Sequence, residues 1–225
     1  MSSPGADDLG REVRLERMAL ADLPALETFS HIERLFLTRT PISDLSPIGG
    51  LQRLLVLGLR LTRVEDLQPL AGLTRLESLI LSFTPVADVG PLAGLTWLRS
   101  LYLTGTLVAD IAPLGGLVGL TRLDLGGTAV ADLRPVAGLS ALESLQLSSS
   151  SVSDLAPLAE LKRLRVLELG DTQVSDLSPL AGLTALRRLD IRGTRVTDQA
   201  IPAGLERCEI VSSATFRRRR SGVRT

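Results

Sequence analysis

Eight aspartates recur at intervals of 22 residues and form the most regular set of side chains in the sequence that could do chemistry. They are Asp44, Asp66, Asp88, Asp110, Asp132, Asp154, Asp176 and Asp198. If the 22-residue units stack as parallel strands, these carboxylates would stand in a row about 5 Å apart, and such a row could hold cations. The alternative is structural, because an Asp that opens a turn accepts a hydrogen bond from a following backbone N–H. We favour this second interpretation, since the glycine-rich nonapeptide of calcium-binding β-rolls is missing, and we predict no metal site.

The composition excludes most other reactive centres. One Cys and one His in 225 residues cannot supply the ligands of a zinc site or a disulfide framework. Cys208 falls on an apolar column of the repeat described below, so we expect a small core residue and not a nucleophile. The sequence contains no P-loop, nucleophile elbow or dinucleotide-binding glycine motif. It therefore predicts no cofactor, no catalytic residue and no enzyme activity.

The C-terminal residues 214–225 form a basic tail. Its densest part is Arg217, Arg218, Arg219 and Arg220. Clustered cations bind polyanions because binding releases counterions, which makes this run a weak candidate for an anion-binding site. A terminal basic run is more commonly solvated and disordered, and the formal net charge of the chain is zero. Nucleic acid is therefore the less favoured partner, and no membrane partner is expected.

All these residues must be positioned by a repeating unit, because the sequence superimposes on itself at an offset of 22 residues. A fixed period of this length indicates a solenoid. One all-leucine column runs through Leu35, Leu57, Leu79, Leu101, Leu123, Leu145, Leu167 and Leu189. The same template predicts eight units over 32–207, a degenerate capping repeat over 10–31 and a closing strand over 208–213, with Val211 on an inward column. Residues 1–9 are expected to be disordered.

Each unit predicts one short strand and one turn. In residues 32–37, Leu35 and Leu37 point inward and Phe36 points outward, because side chains alternate across a strand. The following segment, from Asp44 to Ile48, begins with a residue suited to an N-cap and contains Pro47 where no helical N–H is needed. We therefore expect an α/β solenoid with a right-handed superhelical path, a parallel concave β-sheet of ten strands, and short 3₁₀ or helical turns on the convex side.

The residues of the unit carry a family resemblance. The pattern L-x-x-L-x-L-x-x-T-x-V-x-D-L-x-P-L-x-x-L, as in residues 76–95, resembles the leucine-rich repeat. Its 22-residue period with D-L-x-P-L is similar to that of the bacterial internalins. The resemblance implies a curved ladder whose concave sheet binds another protein, and it implies no catalysis.

The sequence departs from that family in two respects. A hydroxyl residue replaces the usual Asn at Thr40, Thr62, Thr84, Thr106, Thr128, Ser150, Thr172 and Thr194. In the family that Asn bonds turn backbone groups of neighbouring coils, and a hydroxyl can do part of this at shorter reach, so we predict an inward-facing hydroxyl ladder. The sequence also shows no export signal, so we expect a cytoplasmic protein and not an extracellular adhesin.

The outward-facing strand positions and the columns that flank them are free of the repeat constraint and are the candidates for binding. Those we select are Phe36, Leu61, Ile80, Phe83, Tyr102, Asp124, Glu168, Asp171, Arg188, Asp190 and Arg192. The first five form an apolar half and the others a charged half. Large apolar residues grouped on one surface usually mark an interaction site. The alternative is that neighbouring strands shield one another and the patch has no function.

The sequence is compatible with three functions. The first is a non-catalytic scaffold or adaptor that binds a partner protein, of unknown identity, on the concave sheet. The second is a polyanion binder acting through the arginine tail, whose binding would weaken steeply with salt. The third is a structural subunit of a larger assembly, because the ends of a solenoid need polar caps or partners. The oligomeric state is not predicted.

Overall fold

One open sheet of short strands runs through the described part of the chain. The computed structural model describes the backbone of residues 5–6 and all of residues 10–17, 30–197, 201–205 and 207–213. Within these ranges eleven strands lie side by side in chain order. They are β1 (Gly5–Ala6), β2 (Glu12–Arg14), β3 (Arg34–Phe36), β4 (Val56–Gly58), β5 (Ser78–Ile80), β6 (Ser100–Tyr102), β7 (Arg122–Asp124), β8 (Ser144–Gln146), β9 (Val166–Glu168), β10 (Arg188–Asp190) and β11 (Glu209–Val211).

Strands β2 to β11 are parallel, and each pairs with the strand of the next coil. From β2 to β10 the paired residues are 22 apart, as in Leu35 with Leu57, so the period of the sequence is the register of the sheet. The predicted parallel solenoid sheet is confirmed. Strand β1 runs antiparallel to β2, and Gly5 and Ala6 are therefore paired within the segment 1–9 that was expected to be disordered. Residues 1–4 and 7–9 lie outside the described residues.

Short 3₁₀ turns return the chain from one strand to the next. They span Ser46–Ile48, Gln68–Leu70, Gly90–Leu92, Ala112–Gly116, Arg134–Gly138, Ala156–Leu158, Ser178–Gly182 and Ala203–Leu205. In each of the seven turns before residue 198, the Asp of the column accepts a hydrogen bond at 2.7–2.9 Å from the N–H of the first helical residue. The Asp stands one residue before the cap position, which a leucine, isoleucine or valine occupies. It still satisfies a helical N–H, as the capping interpretation requires, and Asp198 lies outside the described residues.

The interior is one continuous apolar core. The strand column of leucines from Leu35 to Leu189 lines it, and its members are at most 1% exposed. Val13 and Leu15 of the capping repeat extend this core at one end, while residues 18–29 of that repeat lie outside the described residues. Cys208 is 2% exposed and packs in the core at the other end. Each coil thus contacts chiefly its two neighbours, which is the arrangement of a solenoid.

The hydroxyl column faces inward, but it bonds a different partner from the one expected. Seven threonine hydroxyls donate to the carbonyl oxygen three residues earlier in their own coil, at 2.6–2.7 Å. These bonds stay within one coil and do not bridge neighbouring coils, because the threonine side chain is too short to reach the backbone of the next coil. Ser150 is buried, and its Oγ has no hydrogen-bond partner among the described residues.

Thr106→Val is expected to lower the free energy of unfolding by about 1 kcal/mol. Thr106 Oγ1 donates to the Leu103 oxygen at 2.7 Å, and Val keeps the volume while removing this bond. The cost is moderate because the same oxygen still accepts the Thr106 N–H at 3.2 Å. Urea unfolding would measure the change, with Ser150→Ala as control, since it removes a hydroxyl that has no hydrogen bond among the described residues. An equal loss in both variants would contradict the role of the ladder.

The last coil is one residue shorter than the others. Leu189 pairs with Ile210 and Asp190 with Val211, a spacing of 21 residues. The inward residue of the closing strand is therefore Ile210, which packs against the core, and the prediction for Val211 was wrong by one position. The shortening falls between buried Cys208, which keeps the 22-residue spacing from Leu186, and Ile210. A template with a constant period cannot detect such a deletion.

Candidate protein-interaction face

The central outward residues of the strands form one row across the concave face. Strand pairing places them in the order Phe36, Gly58, Ile80, Tyr102, Asp124, Gln146, Glu168 and Asp190. Phe36, Ile80 and Tyr102 are half-buried, so neighbouring side chains cover them only in part. Apolar residues thus give way to polar and charged ones at Asp124, and the two predicted halves are contiguous in space.

Phe36 lies across the neighbouring strand. A Cβ placed on Gly58 would stand 2.6 Å from Phe36 Cδ1, so Gly58 provides the space that the ring occupies. On the other side, the guanidinium carbon of Arg14 lies 4.3 Å from the centre of the Phe36 ring, in the range of a cation–π contact. Phe36 is therefore a fixed aromatic surface with one face against backbone.

Leu61 and Phe83 lie in the turn that follows each strand, at the edge of the same face. They are 38% and 45% exposed, the more open members of the apolar half. Arg60 places its guanidinium carbon 5.2 Å from the centre of the Phe83 ring. A Cβ on Gly105, the equivalent residue of the next coil, would stand 2.7 Å from Phe83 Cδ1, so the ring lies against the Gly105 backbone.

The charged half is held by short local bonds. Asp124 accepts the Thr104 hydroxyl at 2.6 Å and the Gly126 N–H at 3.0 Å, which fixes its carboxylate in place. Glu168 is half-buried and Asp171 exposed. The hydrogen bond and the charge of Asp190 raise the pKa of Arg192, and the charges of Glu168 and Asp171 raise it further. Arg188 pairs with Glu209 at 3.5 Å, so it belongs to the closing end of the sheet.

Asp190 is 3% exposed and does not share the exposure expected of an outward strand residue. Both Nε and Nη2 of Arg192 donate to its carboxylate, and Asp190 Oδ1 accepts the Arg192 N–H at 3.0 Å. Burial raises the pKa of Asp190, and the bonds from Arg192 with the charges of Arg192 and Arg188 lower it more strongly, so the pKa lies below its ordinary value. Asp190 therefore anchors Arg192 and offers little surface to a partner.

Arg192→Ala is expected to raise the pKa of Asp190 and to move acid unfolding to higher pH. A carboxylate whose pKa is lowered by folding contributes stability above its unfolded pKa, and this is lost as the pH falls through the folded pKa. Without the Arg192 side chain only the backbone N–H of residue 192 and the charge of Arg188 oppose the effect of burial, so the loss begins at higher pH. NMR titration of the carboxyl carbon and acid unfolding by circular dichroism would measure both effects.

The matched control is Arg134→Ala, because Arg134 bonds the exposed Asp132 in the same i to i+2 geometry. Its removal should let the lowered pKa of Asp132 return towards the ordinary value and leave acid unfolding nearly unchanged. Equal acid midpoints for wild type and Arg192→Ala would contradict the role of the Asp190 pair.

Other exposed apolar residues lie off the strands. Trp97, Leu107 and Val118 are 61%, 64% and 59% exposed and belong to turns. Neither Leu107 nor Val118 was predicted from the sequence as a binding residue, because positions outside the strand face carry no distinguishing pattern. Arg217, Arg218, Arg219 and Arg220 lie outside the described residues. In the described ranges no three His, Cys, Asp or Glu side chains are grouped to hold a metal, and no helix there is long and apolar enough to cross a bilayer.

Stacked 22-residue coils with a leucine core and a partly apolar open sheet define the class of leucine-rich repeat solenoids. The family model of leucine-rich repeats (2 copies) matches residues 74–116. Internalin C2 of Listeria monocytogenes is 35% identical, with a TM-score of 0.76, and the match covers 78% of each chain. The chain therefore belongs to the leucine-rich repeat family and is internalin-like. Leucine-rich repeat proteins generally serve as scaffolds for protein interactions.

Two further structures are similar. The internalin InlF of Listeria monocytogenes is 30% identical with a TM-score of 0.73, over 84% of this chain and 63% of that one. A plant peptide hormone receptor, RGFR1 in complex with RGF2, shares the fold alone, at 18% identity and a TM-score of 0.72 over 88% of this chain and 34% of the receptor. The comparison with curated proteins gave no significant match.

Proposed function

We propose that the protein is a non-catalytic scaffold or adaptor that binds a partner protein on the concave face. Phe36, Ile80, Phe83 and Tyr102 act as its anchors. The charged groups from Asp124 to Arg192 set the specificity. The observation that carries this proposal is the contiguous apolar half of an otherwise polar open face, in a protein whose leucine core is complete without it.

The arrangement of the anchors supports binding over simple shielding. Phe36 lies against Gly58 and Phe83 against the turn of Gly105, and an arginine guanidinium lies over each ring, so both rings are held in place from two sides. Ile80 and Tyr102 continue the row on adjacent strands. Rigid aromatic residues held in this way lose little conformational freedom on binding, which is why they are common anchors of interfaces.

Affinity capture from the native host with wild type and a Phe36→Ala, Ile80→Ala, Tyr102→Ala variant tests the proposal. Each anchor should contribute about 1 to 4 kcal/mol, so the triple variant should lose the partner. The control replaces Trp97 and Val118 by Ala, which removes two well-exposed apolar side chains from turns off the strands. Circular dichroism would verify that both variants fold. Equal recovery of one partner by wild type and the first variant would refute the proposal.

A cytoplasmic location is part of the proposal, and fractionation of host cells would test it. The polyanion-binding alternative rests on Arg217–Arg220, and neither the described residues nor the comparisons support it. Light scattering over a concentration range would separate a monomeric adaptor from a subunit of a self-assembling structure. We favour the adaptor, because the apolar half lies on the open face and not at the terminal strands.

A further inference from the structure

The turn after each strand contains one residue in the left-handed region of backbone space. The φ angles at residues 17, 39, 61, 83, 105, 127, 149, 171 and 193 all lie between 57° and 69°. This conformation lets the sheet ladder continue past the strand, since the N–H of Leu61 donates to Ser82 O and that of Phe83 to Thr104 O. Every coil needs the conformation, whatever side chain stands there.

Glycine adopts this conformation without strain, and the chain has glycine there at Gly105, Gly127 and Gly193. Leu61 and Phe83 adopt it against the steric preference of their Cβ atoms. Both are also well exposed, so the fold gains little burial in return. Strain of this kind at exposed, bulky residues points to a function of the side chains themselves.

Three arginines lie near these two residues in the repeat: Arg60 and Arg63 flank Leu61 in the sequence, and Arg39 holds the same position as Leu61 in the preceding coil. Arg39, Arg60 and Arg63 are exposed, and no carboxylate of the described residues lies within ion-pairing distance of them. By contrast, Arg11 and Arg34 in the same half of the face pair with Glu33 and Glu12. The turn edge of the apolar half is therefore both apolar and cationic.

We propose that this edge, which we call the cationic rim (Arg39, Arg60, Leu61, Arg63 and Phe83), binds an acidic peptide segment of the partner protein. An aliphatic or aromatic side chain of the segment packs on Leu61 and Phe83. Neighbouring carboxylates pair with the three arginines. Arg60 already lies over the Phe83 ring, so a carboxylate that approaches Phe83 meets its guanidinium within the same contact. This inference rests on the proposed function and adds the chemistry of the partner.

The test is selection of a random peptide library displayed on phage against the immobilised full chain. We expect enriched peptides with Asp or Glu beside Leu, Phe or Trp. Their affinity should fall about 30-fold in Phe83→Gly and about 10-fold in Arg60→Glu, as for an anchor and a neighbouring charge. Arg163→Glu is the matched control, because it makes the same charge change at an exposed arginine off the concave face. Phe83→Gly should fold, since Gly105 and Gly127 show that this turn accepts glycine.

The possible outcomes distinguish this inference from the proposed function. Acidic peptides that depend on Phe83 and Arg60 support the inference, and enrichment of basic peptides by Arg60→Glu would support it further. Peptides that need Phe36 and Tyr102 but are neutral or basic, or that bind Phe83→Gly unchanged, overturn the inference and leave the proposed function intact. If no peptide is enriched, or if the enriched peptides depend neither on Phe83 and Arg60 nor on Phe36 and Tyr102, the result counts against both this inference and the proposed function.

Discussion

Leu123→Asp is expected to lower the free energy of unfolding by about 5 kcal/mol or more and to divide the stack. Leu123 is 1% exposed in the strand column, between Leu101 and Leu145 of the adjacent coils. The change removes a core side chain and places a carboxylate where no partner or water can reach it. Because each coil contacts chiefly its neighbours, the damage uncouples the coils on its two sides.

Urea unfolding followed by hydrogen exchange would measure this effect coil by coil. The control is Ile210→Asp in the closing strand, where the inward residue has a neighbouring coil on one side only among the described residues. There the loss should be confined to fraying of the last coils, with exchange protection kept around Leu123. Equal global destabilisation by both changes would contradict nearest-neighbour stability.

The sequence predicts the fold well because one rule governs most of the chain. A 22-residue period with leucines on alternate strand positions is satisfied when the repeated leucines of successive coils stack in the interior, and the observed pairing of Leu35 with Leu57 follows it. The same rule fails at Ile210, where the chain omits one residue. A periodic pattern determines repeated positions, and it carries no information about a local deletion near an end.

The candidate site is less predictable, because it depends on side-chain directions that the period does not constrain. The outward position of Phe36 follows from strand alternation, but its placement across Gly58 depends on a glycine in the next coil. Asp190 is buried by its bonds to Arg192, a pairing within one strand end that alternation does not reveal. Leu61 and Phe83 in a left-handed turn oppose the usual residue preference, so propensity predicts glycine there.

Stability and binding are therefore divided between different residues of each coil. The inward leucines and the turn aspartates repeat with little variation because every coil needs them. The strand face and the left-handed turn position vary from coil to coil, and their variation is grouped: the large apolar residues lie between Phe36 and Tyr102, and the acidic residues lie from Asp124 onwards. Grouped variation on a repeating framework is what a binding face requires, since a partner contacts several coils at once.

Gly105→Val is expected to lower the free energy of unfolding by about 2 to 4 kcal/mol and to displace Phe83. The φ of Gly105 is 65°, a conformation that a β-branched residue adopts only with strain. Its Cβ would also stand 2.7 and 2.8 Å from two atoms of the Phe83 ring. Urea unfolding would measure the loss, and a change in the NMR signals of Phe83 would report the displacement.

Two comparisons separate these causes. Gly94→Val adds the same side chain where no atom lies within 4 Å of the new Cβ and φ is not positive, so its cost should stay under about 1 kcal/mol. In a Phe83→Gly background, Gly105→Val keeps the backbone strain but meets no ring, so its cost should fall by about 0.5 to 3 kcal/mol. If the cost were the same in both backgrounds, Phe83 would not rest on the Gly105 backbone, and the ring would be too mobile to serve as a fixed anchor.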